Sequence, residues 1–224
     1  MKQEKYKAVF IDIDDTILDF NKCSQQALEE SCKHIGIPYS YDLYAYFYKV
    51  DKALWDRQKL GEISVEEVLQ IRFETLCDSL PQTIEPLLFN KTFQANLAKT
   101  TVLIAGAKET LQYLSSKYTL YAASNGILEM QTSRLKRAGL YDYFKDLYVS
   151  DAIGFEKPDS RFYKSCLSQS KCTPEEVLFV GDSWEADIEG AMQLNIDSCW
   201  FTQEPRDSRV KYQVKTLEEL KGYV

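Results

Sequence analysis

Ala8-Val9-Phe10-Ile11-Asp12-Ile13-Asp14-Asp15-Thr16 opens on β-branched and aromatic residues and runs out into carboxylates. Its apolar part, Ala8 to Ile13, has the pattern of a strand buried on both faces, as in a sheet covered by helices on each side. Similar runs recur at Tyr118 to Ala123, Val177 to Val180 and Ser198 to Phe201, with a weaker one at Leu147 to Ser150. Between them helical periodicity covers Lys108 to Ser116, Glu129 to Ala138, Ser160 to Gln169 and Glu185 to Leu194. This alternation predicts an α/β fold, a parallel sheet flanked by helices.

The stretch from about Asn21 to Lys99 is different. Helical periodicity returns in Ser24 to His34, Tyr41 to Gln58, Ser64 to Ser79 and Glu85 to Ala98, with no convincing strand among them, and Pro81 to Pro86 reads as a loop. The expected organisation is a discontinuous α/β core, residues 1–18 and 100–224, with an all-helical cap of residues 19–99 inserted behind the first strand. Hinges are expected near Leu18 to Asn21 and Lys99 to Gly106.

Carboxylates at the carboxyl end of a parallel strand lie where open α/β sheets bind ligands. Side chains alternate along a strand, so Asp12 and Asp14 can share a face, where like charges repel unless a cation separates them or one carboxyl holds a proton. Hard oxygen donors of this kind suit Mg2+, the ion that also bridges to phosphate oxygens. Gly181-Asp182-Ser183-Trp184-Glu185-Ala186-Asp187 repeats the theme, again after an apolar strand and opening a helix. If the two strands are neighbours, Asp182 joins Asp12 at one metal, and Asp187 holds a metal-bound water or orients a neighbour. The plainer alternative makes Asp182 and Asp187 a helix cap and a first-turn acid. Ser124-Asn125-Gly126 offers a hydroxyl and backbone N–H groups for an anion, or else an ordinary cap and turn. In Gly154-Phe155-Glu156-Lys157-Pro158-Asp159, the proline biases Lys157 toward an extended conformation, where it can supply a positive charge. An isolated lysine of this kind is otherwise a solvated surface residue.

Taken together and in this order, the four motifs resemble the haloacid dehalogenase (HAD) superfamily: DIDDT is similar to its DxDx(T/V) motif, Ser124 to its Ser/Thr, Lys157 to its Lys, and GDSWEAD to its GDxxxxD. The resemblance implies a HAD-like Rossmannoid core with a helical cap of the C1 class. It also implies Mg2+-dependent hydrolysis of a phosphate monoester through an aspartyl-phosphate on Asp12. Asp14 would then protonate the leaving alcohol and afterwards activate water. Mg2+ would be held by Asp12, Asp182 and the backbone carbonyl of Asp14, while Ser124, Asn125 and Lys157 would bind the phosphate. Thr16 would fix the loop, Asp187 would support the site, and Asp15 would be a helix-cap residue. Within this resemblance Asp14 argues against C–halogen cleavage, since halide leaves without a proton. A β-phosphoglucomutase-like mutase, a sugar-phosphate phosphatase and a catalytically silent binding module are the competing readings.

GFEKPD and GDSWEADIEGA further resemble the YjjG/YfnB-type branch, which implies 5′-nucleotidase activity toward pyrimidine and noncanonical nucleotides. The leaving group should be recognised by the insert, where Tyr44, Tyr46, Phe47, Tyr48, Trp55, Arg57 and Gln58 can stack a base or sugar or can form the cap's own core.

Bulk properties set the frame for these readings. The chain has 224 residues and a formal charge of -7, with its basic residues scattered rather than striped, so a nucleic acid partner is not expected. A small phosphorylated molecule is the expected partner, and an acidic protein that binds one needs local positive charge. The six cysteines show no CxxC spacing and are expected as reduced thiols, and His34 as a surface residue. No apolar run approaches the ~18 residues of a membrane span, and the amino-terminal residues lack a signal-peptide pattern, so a cytoplasmic location is expected. Monomer and dimer are both open.

Overall fold

The computed structural model describes residues 5–224. Strands β1 (Ala8–Ile11), β2 (Thr119–Ser124), β3 (Phe144–Val149), β4 (Val177–Gly181), β5 (Asp197–Phe201) and β6 (Tyr212–Val214) form one sheet in the order β3-β2-β1-β4-β5-β6, with every pairing parallel. The period of two along β1 sends Val9 and Ile11 into one core layer, with Leu111 and Leu114 of α5 (Ala107–Ser115) and Leu135 of α6 (Leu128–Arg137). Ala8 and Phe10 face the other layer, against Phe162, Tyr163 and Cys166 of α7 (Ser160–Ser170). Phe10 stacks on Tyr121 at 5.0 Å between ring centroids. Because both faces are covered, β1 has no polar alternation, which is the feature of the sequence that marks it as central.

Four helices lie between β1 and β2: α1 (Phe20–Ile35), α2 (Tyr41–Lys59), α3 (Val65–Asp78) and α4 (Pro86–Leu97). They share a separate apolar cluster built on Phe47, Phe73, Phe89 and Phe93. Their ends follow local chemistry. Ser40 caps α2, a Ser64–Glu67 capping box starts α3, and Gly36 ends α1 in the left-handed region at φ 82. The chain segments that enter and leave this insert pair with each other: Asp19 N donates to Val102 O at 2.9 Å, and Leu18 and Leu103 form an antiparallel bridge. Inside the insert, Arg72 and Asp51 form a buried ion pair of 2.8 Å, and the guanidinium lies over the Phe73 and Phe93 rings.

Three elements differ from the sequence reading. β1 stops at Ile11 rather than Ile13: Asp12 N still donates to Val180 O, but Ile17 N and Leu18 N then both donate to Ile13 O as the chain turns through Asp15 at φ 58. The helix expected over Glu185 to Leu194 is a π-helical turn, Trp184–Glu189, followed by the short helical segment Gly190–Met192. Its wider winding brings Asp187 inward, a local irregularity that π segments commonly place at functional sites. β6 has no counterpart in the sequence reading, because Tyr212-Gln213-Val214 is too short a run to show strand periodicity. The cysteines are all free, five of them buried, and His34 is exposed on α1. Among the described residues, no helix is long and apolar enough to cross a membrane.

Candidate active site

The register of the sheet creates the site. Ile11 is level with Ala122 of β2 and Val180 of β4, so Asp12, Ser124 and Asp182 emerge side by side at the carboxyl edge. They line one cavity of about 630 Å³ together with Asp14, Lys157 and Asp187, and α2 closes it with Tyr48, Trp55 and Gln58.

Lys157 is 2% exposed, the opposite of a solvated lysine. Its Nζ donates to Asp12 Oδ1 at 2.7 Å, Asp187 Oδ1 at 2.6 Å and Ala123 O at 2.8 Å. These three acceptors match the three protons of an ammonium group. Burial alone would lower the Lys157 pKa, but Asp12 and Asp187 outweigh it and hold the group charged. Thr16 Oγ1 stands 3.2 Å from both Asp12 Oδ2 and Asp182 Oδ1, so one hydroxyl proton is shared between the ends of β1 and β4. Asp187 also accepts from Ser183 N at 3.0 Å. Ser183, not Asp182, caps the following turn. The plainer reading therefore fails for Asp182, which is not the cap, whereas Asp187 does lie in the first turn and is buried there against Lys157.

Oxygens of Asp12, Asp182 and Asp187 lie within 4.8 Å of one another. Burial pushes the Asp12 carboxyl up to about 7, with Lys157 opposing and Asp187 and Asp14 adding to the rise. Asp182 is held well above the usual carboxylate range, by burial first and then by Asp12 and Asp187. Lys157 supplies one positive charge against three clustered carboxylates, and the donors are all hard oxygens, so the residues fit a divalent cation such as Mg2+.

Asp14 does not join that cluster. The two acids of the first motif do not share a cation as the alternation of the strand allows; each has its own. Asp14 Oδ1 accepts from Arg134 Nη1 at 2.6 Å and Oδ2 from Gln131 Nε2 at 2.7 Å. Ser124 is the last residue of β2, and α6 starts only at Leu128, whose N–H donates to the Asp151 carboxylate, so Ser124 is not a helix cap. Its hydroxyl accepts from Gln131 Nε2 at 3.1 Å. Asn125 clasps the backbone of Lys157 in both directions, accepting from its N–H and donating to its carbonyl, each at 2.8 Å. The Gly126 amide donates to Ser150 Oγ at 2.9 Å, so this N–H of the expected anion cradle is already taken. The cap of α1 is Asp19, whose carboxylate accepts from Lys22 N, and not Asp15 as the sequence suggested; Asp15 accepts from the N–H of Phe20 from the turn before it.

Gln131 and Arg134 carry no signal in the motifs. Their spacing of three, with Leu135 next, marks the inward face of α6, and charged or amide groups on such a face are the available cue. The aromatic set of the insert divides. Tyr44 and Phe47 belong to its core, Tyr46 is exposed, Arg57 pairs with Glu62 on the surface, and Tyr48, Trp55 and Gln58 reach the cavity. Gln58 Nε2 donates to Glu156 Oε1 and Lys157 O, both at 3.0 Å, and Glu156 Oε2 accepts from Val65 N at 2.9 Å.

The chain matches the haloacid dehalogenase-like hydrolase family over residues 6–195. It is 32% identical to the pyrimidine 5′-nucleotidase PynA of Streptococcus pneumoniae, over 96% of this chain and 93% of that one. It is 28% identical to the pyrimidine 5′-nucleotidase YjjG of Escherichia coli, over 96% of each. The crystal structure of the HAD-hydrolase YfnB of Bacillus subtilis, bound to magnesium and described as revealing interdomain movement, superposes with a TM-score of 0.90 at 29% identity. That match covers 98% of this chain and 99% of YfnB.

Proposed function

Because the chain belongs to the haloacid dehalogenase-like hydrolase family, we propose that it is a Mg2+-dependent phosphatase. It cleaves small phosphate monoesters through an aspartyl-phosphate on Asp12, with pyrimidine nucleoside 5′-monophosphates as the preferred substrates. The observation that carries this is the meeting of Asp12, Asp182 and Lys157, from distant parts of the sequence, around one cavity. The names of PynA and YjjG support the nucleotide refinement. Residues 19–99 act as a cap over a core of 1–18 and 100–224, which the separate apolar cluster of the four helices supports.

In this reading Asp12 attacks phosphorus in line, and the P–O bond to the alcohol breaks as Asp14 gives the departing oxygen a proton. Asp14 then takes a proton from the water that cleaves the acyl phosphate, and Asp12 is regenerated. Lys157 and the Ser124 hydroxyl offset charge on the transferring oxygens, while Asn125 keeps the Lys157 backbone in place. Asp12, Asp182 and the Asp14 carbonyl would hold Mg2+, which when bound would neutralise phosphate charge and keep the surrounding carboxylates ionised. Asp187 fixes Lys157, and Thr16 fixes Asp12 to Asp182.

Phosphate release from p-nitrophenyl phosphate with Mg2+ and with EDTA tests the activity. It should depend on the metal and be abolished by Asp12→Asn. Release from UMP, dUMP and TMP alongside sugar phosphates tests the refinement, which fails if the sugar phosphates are turned over well and the nucleotides are not. Halide release from a 2-haloacid that survives Asp14→Asn would overturn the phosphatase reading itself.

A further inference from the structure

We infer that Gln131 and Arg134, on the inward face of α6, are positioning residues that aim the Asp14 carboxyl and bind it to Ser124 as one rigid unit. This rests on the reading of Asp14 as the leaving-group acid, and it assigns the device that orients that acid.

The hydrogen bonds form a closed circuit. Arg134 Nη1 carries two protons; one goes to Asp14 Oδ1 at 2.6 Å and the other to Gln131 Oε1 at 3.1 Å. Gln131 Nε2 also carries two, directed to Asp14 Oδ2 at 2.7 Å and Ser124 Oγ at 3.1 Å. The Gln131 amide can adopt only this orientation. Turned over, its oxygen would face the Asp14 carboxylate, acceptor against acceptor, and its nitrogen would face the Arg134 donor. Both torsions of Asp14 are thereby fixed through its two oxygens. Ser124 is fixed through an accepted bond, so the hydroxyl's own proton, now directed at Asn125 O at 3.2 Å, is the donor available to a phosphoryl oxygen.

A purely structural role explains this circuit poorly. Gln131 and Arg134 are both 0% exposed, and Arg134 Nε and Nη2 find no oxygen or nitrogen acceptor among the described residues, with only the Cys23 sulfur beside the guanidinium on that side. A buried guanidinium that leaves donors unsatisfied is an inefficient way to stabilise a core, and apolar side chains of similar volume usually do as well or better. The side chain of Asp14 is 26% exposed and lines the cavity, so the carboxylate this cation pairs with is the acid that faces the cavity. A misplacement of a catalytic group by about 1 Å is enough to cost about 100-fold in rate.

The test uses the full-length, Mg2+-loaded protein and compares kcat and KM for p-nitrophenyl phosphate with those for an alkyl phosphate, whose leaving group needs the proton. Asp14→Asn sets the reference, with an alkyl-phosphate loss of about 100-fold or more beyond that for p-nitrophenyl phosphate. Gln131→Leu and Arg134→Met should show the same preference, each about 10-fold or more in kcat, and should add little to Asp14→Asn when combined with it. Equal losses on both substrates, or losses that multiply with Asp14→Asn, would overturn the inference while leaving the acid in place. An Asp14→Asn variant without leaving-group preference would instead remove the acid assignment, and the inference with it. If Arg134→Met does not fold, Gln131→Leu decides alone, because it leaves the Arg134–Asp14 pair intact and strands no charge.

Discussion

Lys157 Nζ lies 2.7 Å from Asp12 Oδ1, although the two residues are separated by 145 positions, and the same nitrogen bonds Asp187 Oδ1 at 2.6 Å. One ammonium thus joins the first, third and fourth motifs, and its removal strands two buried carboxylates.

Lys157→Met keeps the length of the side chain and deletes the charge. Breaking a buried pair from one side costs about 3 to 5 kcal/mol, so urea denaturation in EDTA should give a midpoint well below that of the wild type. Lys157→Arg should not restore turnover, because a planar fork cannot reproduce a point charge with three separate acceptors. A loss under about 1 kcal/mol, the range of exposed pairs, would mean that the cluster is compensated by something other than this lysine.

The Asp12 carboxyl, lifted to about 7 chiefly by burial, makes stability fall with rising pH when no metal is bound. Between the ordinary aspartate value of about 3.9 and about 7, the folded state holds a proton on Asp12 that the unfolded state has released. The slope of unfolding free energy with pH is therefore negative, at most about 1.4 kcal/mol per pH unit for one proton. The difference in stability between wild type and Asp12→Asn, both in EDTA, should shrink across this window and be most favourable to the wild type at its acid end. Saturating Mg2+ should flatten or reverse the trend. A difference that is independent of pH in EDTA would refute the raised Asp12.

Gly181 is glycine because a Cβ there would collide with the Asp187 carboxylate. Gly181→Ala should cost about 1 to 3 kcal/mol as an overpacked site and should lower turnover about 100-fold by displacing the group that holds Lys157. In an Asp187→Gly background all three of the atoms that a Cβ at 181 would meet, the Asp187 Cβ included, are absent, so the same substitution should cost less than about 0.5 kcal/mol. Equal penalties in both backgrounds would place the constraint elsewhere.

The motif residues were legible because they sit where strands end, and a buried parallel strand that stops at a carboxylate is conspicuous in sequence. Asp12, Ser124 and Asp182 follow apolar runs whose register then brings them together. Lys157 was legible only in company, since nothing local distinguishes it from a surface lysine. Gln131 and Arg134 were not legible as site residues: they lie inside a helix rather than at its end, and their partner Asp14 is 117 and 120 positions away. The π-helical turn at Trp184–Glu189 escaped because a shift from α to π winding leaves hydrophobic periodicity nearly unchanged over so short a segment. Helix positions in the insert were readable from their caps and apolar faces. Which aromatic residues face the cavity was not, because the core side and the cavity side of α2 are both rich in rings.

Glu156 is the meeting point of the insert and the loop that carries Lys157. One of its oxygens accepts from Gln58 on α2, the other from Val65 N at the start of α3, and Gln58 also donates to the Lys157 carbonyl. Each such bond contributes about 1 kcal/mol net, more to a charged partner, so losing the two that end on the carboxylate weakens closure of the site by about 2 to 3 kcal/mol. Glu156→Ala should therefore speed hydrogen exchange at the Val65 amide. It should also raise KM several-fold for a substrate that relies on the insert, with a smaller effect on p-nitrophenyl phosphate, whose compact leaving group needs fewer contacts there. Gln58→Ala should act in the same direction while leaving the Val65 amide protected, because Glu156 Oε2 remains in place. Unchanged exchange and unchanged KM in Glu156→Ala would show that the insert is held over the site by its apolar contacts alone.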